Sequence, residues 1–208
     1  MMITVGLICE VADHVSDLDA VIFDLDDTLY PEKDYVRCGY RAVSALFPNV
    51  PDMAQRLWAA FEDGRPAIDA VLEEEGLQSY KAAALEAYRQ NDPVLTLYPG
   101  ARELLQRLGE RVKLGIITDG RPEGQRAKLR ALCIEPLFDE IIVTDELGGT
   151  QYRKPDPTAF RLMSERLGTR YDRMAYVGDN IRKDFIAPEA LGMRCIWFQN
   201  PDGLYYRQ

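Results

Sequence analysis

Three polar clusters in this sequence each follow a short apolar run, and a fourth stands apart. Ala20-Val21-Ile22-Phe23 stops abruptly at Asp24-Leu25-Asp26-Asp27-Thr28. Lys113-Leu114-Gly115-Ile116-Ile117 leads into Thr118-Asp119-Gly120. Met174-Ala175-Tyr176-Val177 leads into Gly178-Asp179-Asn180, with Asp184 five residues after Asp179. Lys154-Pro155-Asp156-Pro157 follows the run Glu140-Ile141-Ile142-Val143 only after a loop. Brought into one site, Asp24, Asp26 and Asp179 repel one another and raise one another's proton affinity. A divalent cation resolves that conflict. Hard oxygen ligands with no nearby His or Cys suit Mg²⁺ rather than zinc. One ammonium, Lys154, and one hydroxyl, Thr118, beside such an ion suit a dianion with three oxygens, a phosphoryl group.

Residues as far apart as 24 and 184 meet only if the fold brings them together. From about Val94 onward, short apolar strands alternate with helical stretches: Leu104, Leu105 and Leu108; about Gln125 to Leu132; Phe160, Met163 and Leu167; Ala187 to Leu191. That alternation predicts βαβ units and a parallel sheet, doubly wound in the Rossmann-like manner. In such α/β sheets ligands bind beyond the carboxyl ends of the strands, near the point where strand order reverses. Three of the clusters fall at such ends, and the fourth follows its strand after a loop. Gly109 is placed to cap the helix before it.

The stretch from about Glu32 to Asn91 reads differently. Val36, Tyr40, Val43 and Phe47, then Met53, Leu57 and Phe61, then Ile68, Val71 and Leu72, then Tyr80, Ala84 and Tyr88, trace one-faced helices. Residues 31–93 are therefore expected to form an all-helical insertion, and residues 1–30 and 94–208 the α/β core. Residues 1–18 are unassigned, with an extra edge strand one option. Asp27 reads as structural and Thr28 as a local hydrogen-bonding residue that shapes the turn. Read alone, Asp184 is a helix N-cap, and Asn180 serves a metal or a turn. His14, the sole histidine, lies outside every cluster.

The composition narrows the partners. Of 208 residues, 47% are hydrophobic and 28% charged, and net charge is −9. Such a chain has no general field to hold nucleic acid or an anionic membrane. No apolar run reaches the ~20 residues of a membrane span. Cys9, Cys38, Cys133 and Cys195 are far apart and form no CxxC pair, which points to reduced thiols and a cytoplasmic setting. The apolar start, Met1 to Cys9, lacks the basic region and cleavage site of a signal peptide.

Taken together, the clusters resemble the four motifs of haloacid-dehalogenase-superfamily phosphohydrolases: Asp24-Leu-Asp-Asp-Thr28, Thr118 after its strand, Lys154 before Pro155, and Gly178-Asp179 with Asp184. The likeness covers about residues 20 to 198, and the helical insertion falls where that family carries a C1-type cap. It implies that Asp24 attacks phosphorus and forms an aspartyl-phosphate. It implies that Asp26 protonates the leaving oxygen and then deprotonates water. Mg²⁺ would be held by the Asp24 and Asp179 side chains and the Asp26 backbone carbonyl. Thr118 would bond a phosphoryl oxygen, Lys154 would neutralise charge, and Asp184 would orient Lys154 or a metal-bound water. Asp119 stands where many relatives carry Asn, in a position that contacts substrate. The expected substrate is a small phosphorylated metabolite. A sugar-phosphate mutase and a phosphate-binding regulatory protein of low turnover are the alternatives.

Overall fold

A computed structural model of the chain describes residues 2–206. The elements run β1 (Met2–Val5), β2 (Ala20–Phe23), α1 (Glu32–Ala45), α2 (Met53–Glu62), α3 (Ala67–Glu74), α4 (Lys81–Arg89), α5 (Ala101–Gly109), β3 (Lys113–Thr118), α6 (Pro122–Leu132), β4 (Glu140–Val143), α7 (Thr158–Leu167), β5 (Met174–Gly178), α8 (Ile186–Leu191) and β6 (Arg194–Phe198). Among the described residues no helix is long and apolar enough to cross a membrane.

The six strands form one parallel sheet in the order β1-β6-β5-β2-β3-β4. Every residue of β2 is buried, because a parallel sheet is covered on both faces and its inner strands must be apolar on both sides. On one face, Phe160, Met163 and Leu167 of α7 pack with Ile22, Ile117 and Tyr176. Residues 2–5, within the unassigned start, supply the edge strand β1, paired with β6 from Met2↔Cys195 to Val5↔Phe198. Gly109 is the last helical residue of α5 rather than a left-handed cap. No such turn is needed there, since the amides of Arg111 and Val112 both return to the Leu108 carbonyl, each at 2.9 Å.

The chain divides into two compact units, Met1–Glu32 with Leu95–Gln208, and Lys33–Val94. The second has its own core, built from Val36, Tyr40 and Val43 of α1, Leu57 of α2, Val71 and Leu72 of α3, and Ala84 of α4. Arg37 lies over the Trp58 ring, 4.2 Å from its centroid, and Arg65 pairs with Glu74 at 2.9 Å.

Candidate active site

The strand order reverses between β2 and β5. The chain steps from β2 outward to β3 and β4, then returns to place β5 on the other side of β2. Side chains that follow β2 and β5 are thereby forced to share the crevice beyond the strands. Phe23 lies level with Val177, and the Asp24 amide continues the ladder to the Val177 carbonyl at 2.8 Å. Asp24 and Asp179 are thus held at the same end of neighbouring strands.

Lys154 is the hub. Its ammonium is fully buried and lies 2.6 Å from Asp24 Oδ1 and 2.9 Å from Asp184 Oδ1, and it donates to the Tyr176 hydroxyl at 2.9 Å. Burial alone lowers a lysine's proton affinity, but the charges of Asp184 and Asp24 outweigh it and hold Lys154 well above its ordinary value. Asp184 also accepts the Asn180 amide at 2.9 Å through Oδ2. Asp184 therefore faces Lys154 and closes its own loop at once. Asn180 turns its side-chain oxygen to the Arg182 amide at 3.1 Å, a turn contact. The close fit needs Gly178: a Cβ there would lie 2.5 Å from Asp184 Oδ2.

Oxygens of Asp24, Asp179 and Asp184 lie within 4.8 Å of one another. Burial, with Asp184 close by and only partly offset by Lys154, pushes Asp24 up to about 7. Burial and the charges of Asp24 and Asp184 push Asp179 up to about 9. Three crowded carboxylates, all offering oxygen, fit a hard divalent cation such as Mg²⁺. Thr28 does more than shape its turn. Its hydroxyl donates to Asp179 Oδ1 at 3.4 Å, because the loop doubles back through Asp27 in the left-handed region, φ 52°. Asp27 ties three segments. Its carboxylate accepts the Glu32 amide at 2.9 Å and the Leu204 amide at 2.7 Å, and its carbonyl accepts the Asn200 side chain at 2.9 Å.

Asp26 points to other partners. Lys128 donates to both its oxygens, at 2.8 and 2.9 Å, Gln125 donates to Oδ2 at 2.9 Å, and the Tyr30 hydroxyl bonds Oδ1. Burial works to raise Asp26, yet the Lys128 charge and these hydrogen bonds prevail and hold it below the usual carboxylate range. Asp119 is likewise engaged. Oδ1 accepts the Thr144 hydroxyl at 3.0 Å and the Lys154 amide at 3.1 Å, and Oδ2 pairs with Lys183 at 3.2 Å. The side chain thus braces the Lys154 loop, and Lys183 balances the charge that an Asn would not carry. The Thr118 hydroxyl, by contrast, is buried with no hydrogen-bond partner among the described residues. A cleft of about 220 Å³ opens here, lined by Asp24, Asp26, Asp119 and Asp179 with Lys183 and Tyr205.

Asp24, Lys154, Asp179 and Asp184 come together as the sequence suggested, with Asp26 and Asp119 on the same cleft. Lys128, Gln125, Lys183 and Tyr176 were not singled out. The available signals were a Lys adjacent to Asp184, a phenol inside the apolar run Met174–Val177, and two polar residues three apart on α6.

Known proteins resemble this chain in sequence and fold. A Methanopyrus kandleri glyceraldehyde 3-phosphate phosphatase is 31% identical over 193 residues, spanning 85% of this chain and 82% of the relative. Its Methanocaldococcus jannaschii counterpart is 28% identical over 194 residues, with the same coverage. The structure of Bacillus subtilis YfnB bound to magnesium superposes with a TM-score of 0.66 at 25% identity, covering 86% of each chain. The model of the haloacid dehalogenase-like hydrolases matches residues 18–192, and the chain belongs to that family.

Proposed function

We propose that the chain is a Mg²⁺-dependent phosphomonoesterase acting on a small phosphorylated metabolite through an aspartyl-phosphate on Asp24. The observation that carries this reading is Asp24 itself: a carboxylate at the switch point, fixed by a buried ammonium at 2.6 Å and set among two further carboxylates. Relatives named as phosphatases and a magnesium-bound structural neighbour support it.

Asp24, Asp179 and the Asp26 backbone carbonyl would hold the ion; the Asp26 side chain faces Lys128 instead. When bound, Mg²⁺ supplies positive charge against the phosphoryl oxygens. The remaining work falls to the chain. An Asp24 oxygen attacks phosphorus, and the bond to the ester oxygen breaks with its electron pair passing to that oxygen. A proton moves from the Asp26 carboxyl to the leaving oxygen, releasing an alcohol. Water then attacks the aspartyl-phosphate, Asp26 takes its proton, and Asp24 leaves as carboxylate with inorganic phosphate. The arriving dianion raises the proton affinity of Asp26, so the acid form is available when the first step needs it. Lys154 balances charge on Asp24, and the unpartnered Thr118 hydroxyl donates to a phosphoryl oxygen.

Phosphate release from p-nitrophenyl phosphate, with Mg²⁺ and after chelation, tests the assignment. Asp24→Asn is expected to lower turnover by at least about 10³-fold while melting like the parent, since the nucleophile is lost and the fold kept. Near-parental turnover in that variant would remove Asp24 as nucleophile.

A further inference from the structure

The Asp26 carboxylate is gripped more tightly than a proton-transfer group requires for burial alone. Lys128 places one ammonium across both oxygens, and Gln125 adds a third donor to Oδ2. The Tyr30 hydroxyl adds a further donor at Oδ1. The aspartate χ2 torsion is otherwise broad and roughly two-fold. A cation spanning both oxygens fixes the plane of the carboxyl group. The grip comes from a rigid element: α6 is anchored by buried Leu129 and Leu132, and Gln125 and Lys128 are both buried along it. Gln125 also bonds the Asp119 carbonyl. Room for it exists only because Gly120 is bare, since a Cβ there would lie 2.8 Å from Gln125 Nε2.

We propose that Lys128, seconded by Gln125, is a positioning residue that aims the Asp26 carboxyl at the leaving oxygen. The inference rests on the phosphomonoesterase reading, in which Asp26 gives and takes the proton. Lys128 holds the two Asp26 oxygens and acts on the ester only through them. Its contribution therefore scales with how much the leaving oxygen needs a proton. Phenoxide needs one more than p-nitrophenoxide does, because it is the stronger base.

The experiment compares kcat/KM for phenyl phosphate and p-nitrophenyl phosphate in the Mg²⁺-loaded parent, Lys128→Met and Lys128→Arg. General acid catalysis contributes about 10²–10⁴-fold. For Lys128→Met, kcat/KM is expected to fall roughly 30- to 100-fold on phenyl phosphate and about 3-fold on p-nitrophenyl phosphate. Lys128→Arg, which keeps the positive charge and can also donate to both oxygens, is expected to restore most of the phenyl-to-nitrophenyl ratio. A purely structural role would lower both esters alike, so an unchanged ratio overturns the proposal. Should Lys128→Met melt well below the parent, Lys128→Gln, which retains a donor for one oxygen, serves the same comparison. A parent that releases no phosphate from either ester overturns the phosphomonoesterase reading and this inference together. A working parent with an unchanged ratio in the variants overturns the inference alone.

Discussion

Thr118 ends β3 with its hydroxyl buried and unbonded. Leaving a buried donor unsatisfied costs about 1–3 kcal/mol, so a stabilised fold would have supplied a partner or an apolar side chain. Thr118→Val is therefore expected to leave stability equal or slightly improved in urea unfolding. The same change should lower kcat by about 10²–10³-fold, as for removal of one donor from an oxyanion site. A stability loss with intact turnover would make the hydroxyl structural. Asp24, Thr118 and Asp179 were legible because each interrupts an apolar run at a point where only a polar task explains the interruption. Lys128 and Gln125 were not. On a helix, polar residues three apart look like a solvated face, and only the crossover from β3 turns that face onto Asp26. Asp119 was legible as a departure, but its compensation by Lys183 depends on a loop 64 residues away.

At the level of elements, the inner strands declared themselves by composition, since burial on both faces demands continuous apolar residues. The edge strand β1 did not. Only Val5 of its four residues is buried, and its partner β6 lies at the far end of the sequence. The turn after β5 carries a sharper constraint. Gly178 has no unusual φ, so alanine there meets no backbone penalty. Its Cβ would still lie 2.5 Å from Asp184 Oδ2 and 2.9 Å from Asp184 Cγ. Overpacking of that kind costs typically about 1–3 kcal/mol. Gly178→Ala is expected to lose that much in urea unfolding, and to lose activity as Asp184 is displaced from Lys154. Parental stability and turnover would show that Asp184 has room to move.

Across the whole molecule, the raised carboxyls set how stability answers to pH. Asp24 at about 7, Glu32 at about 8 and Asp179 at about 9 all sit above their unfolded values of 3.8 to 4.5. For Glu32 burial is the main cause, followed by the Asp26 charge. Between the unfolded and folded values the native state holds protons that the unfolded chain has released, so stability falls as pH rises through that window. The lowered carboxyls, Asp26 and Asp119, act in the opposite sense and only at acid pH. The melting temperature in chelator should therefore drop from about pH 5.5 to about pH 8.5. Mg²⁺ competes with those protons, so its protection should be larger at the alkaline end. A ligand at 100 times its Kd contributes about 2.7 kcal/mol, which for a chain of this size is roughly 5–10 °C. Equal Mg²⁺ protection at both pH values would argue against carboxylates as the ion's ligands.

The knot at Asp27 has a consequence for a chain still being made. The loop that carries the nucleophile is held by the amide of Leu204 and the side chain of Asn200. A ribosome adding about 5–20 residues per second needs roughly 10–40 s to travel from that loop to its fastener. During that interval the emerging polypeptide can assemble most of its sheet, yet the reactive carboxylate waits for its last restraint. Chemical competence would then arrive only after the scaffold around it has set.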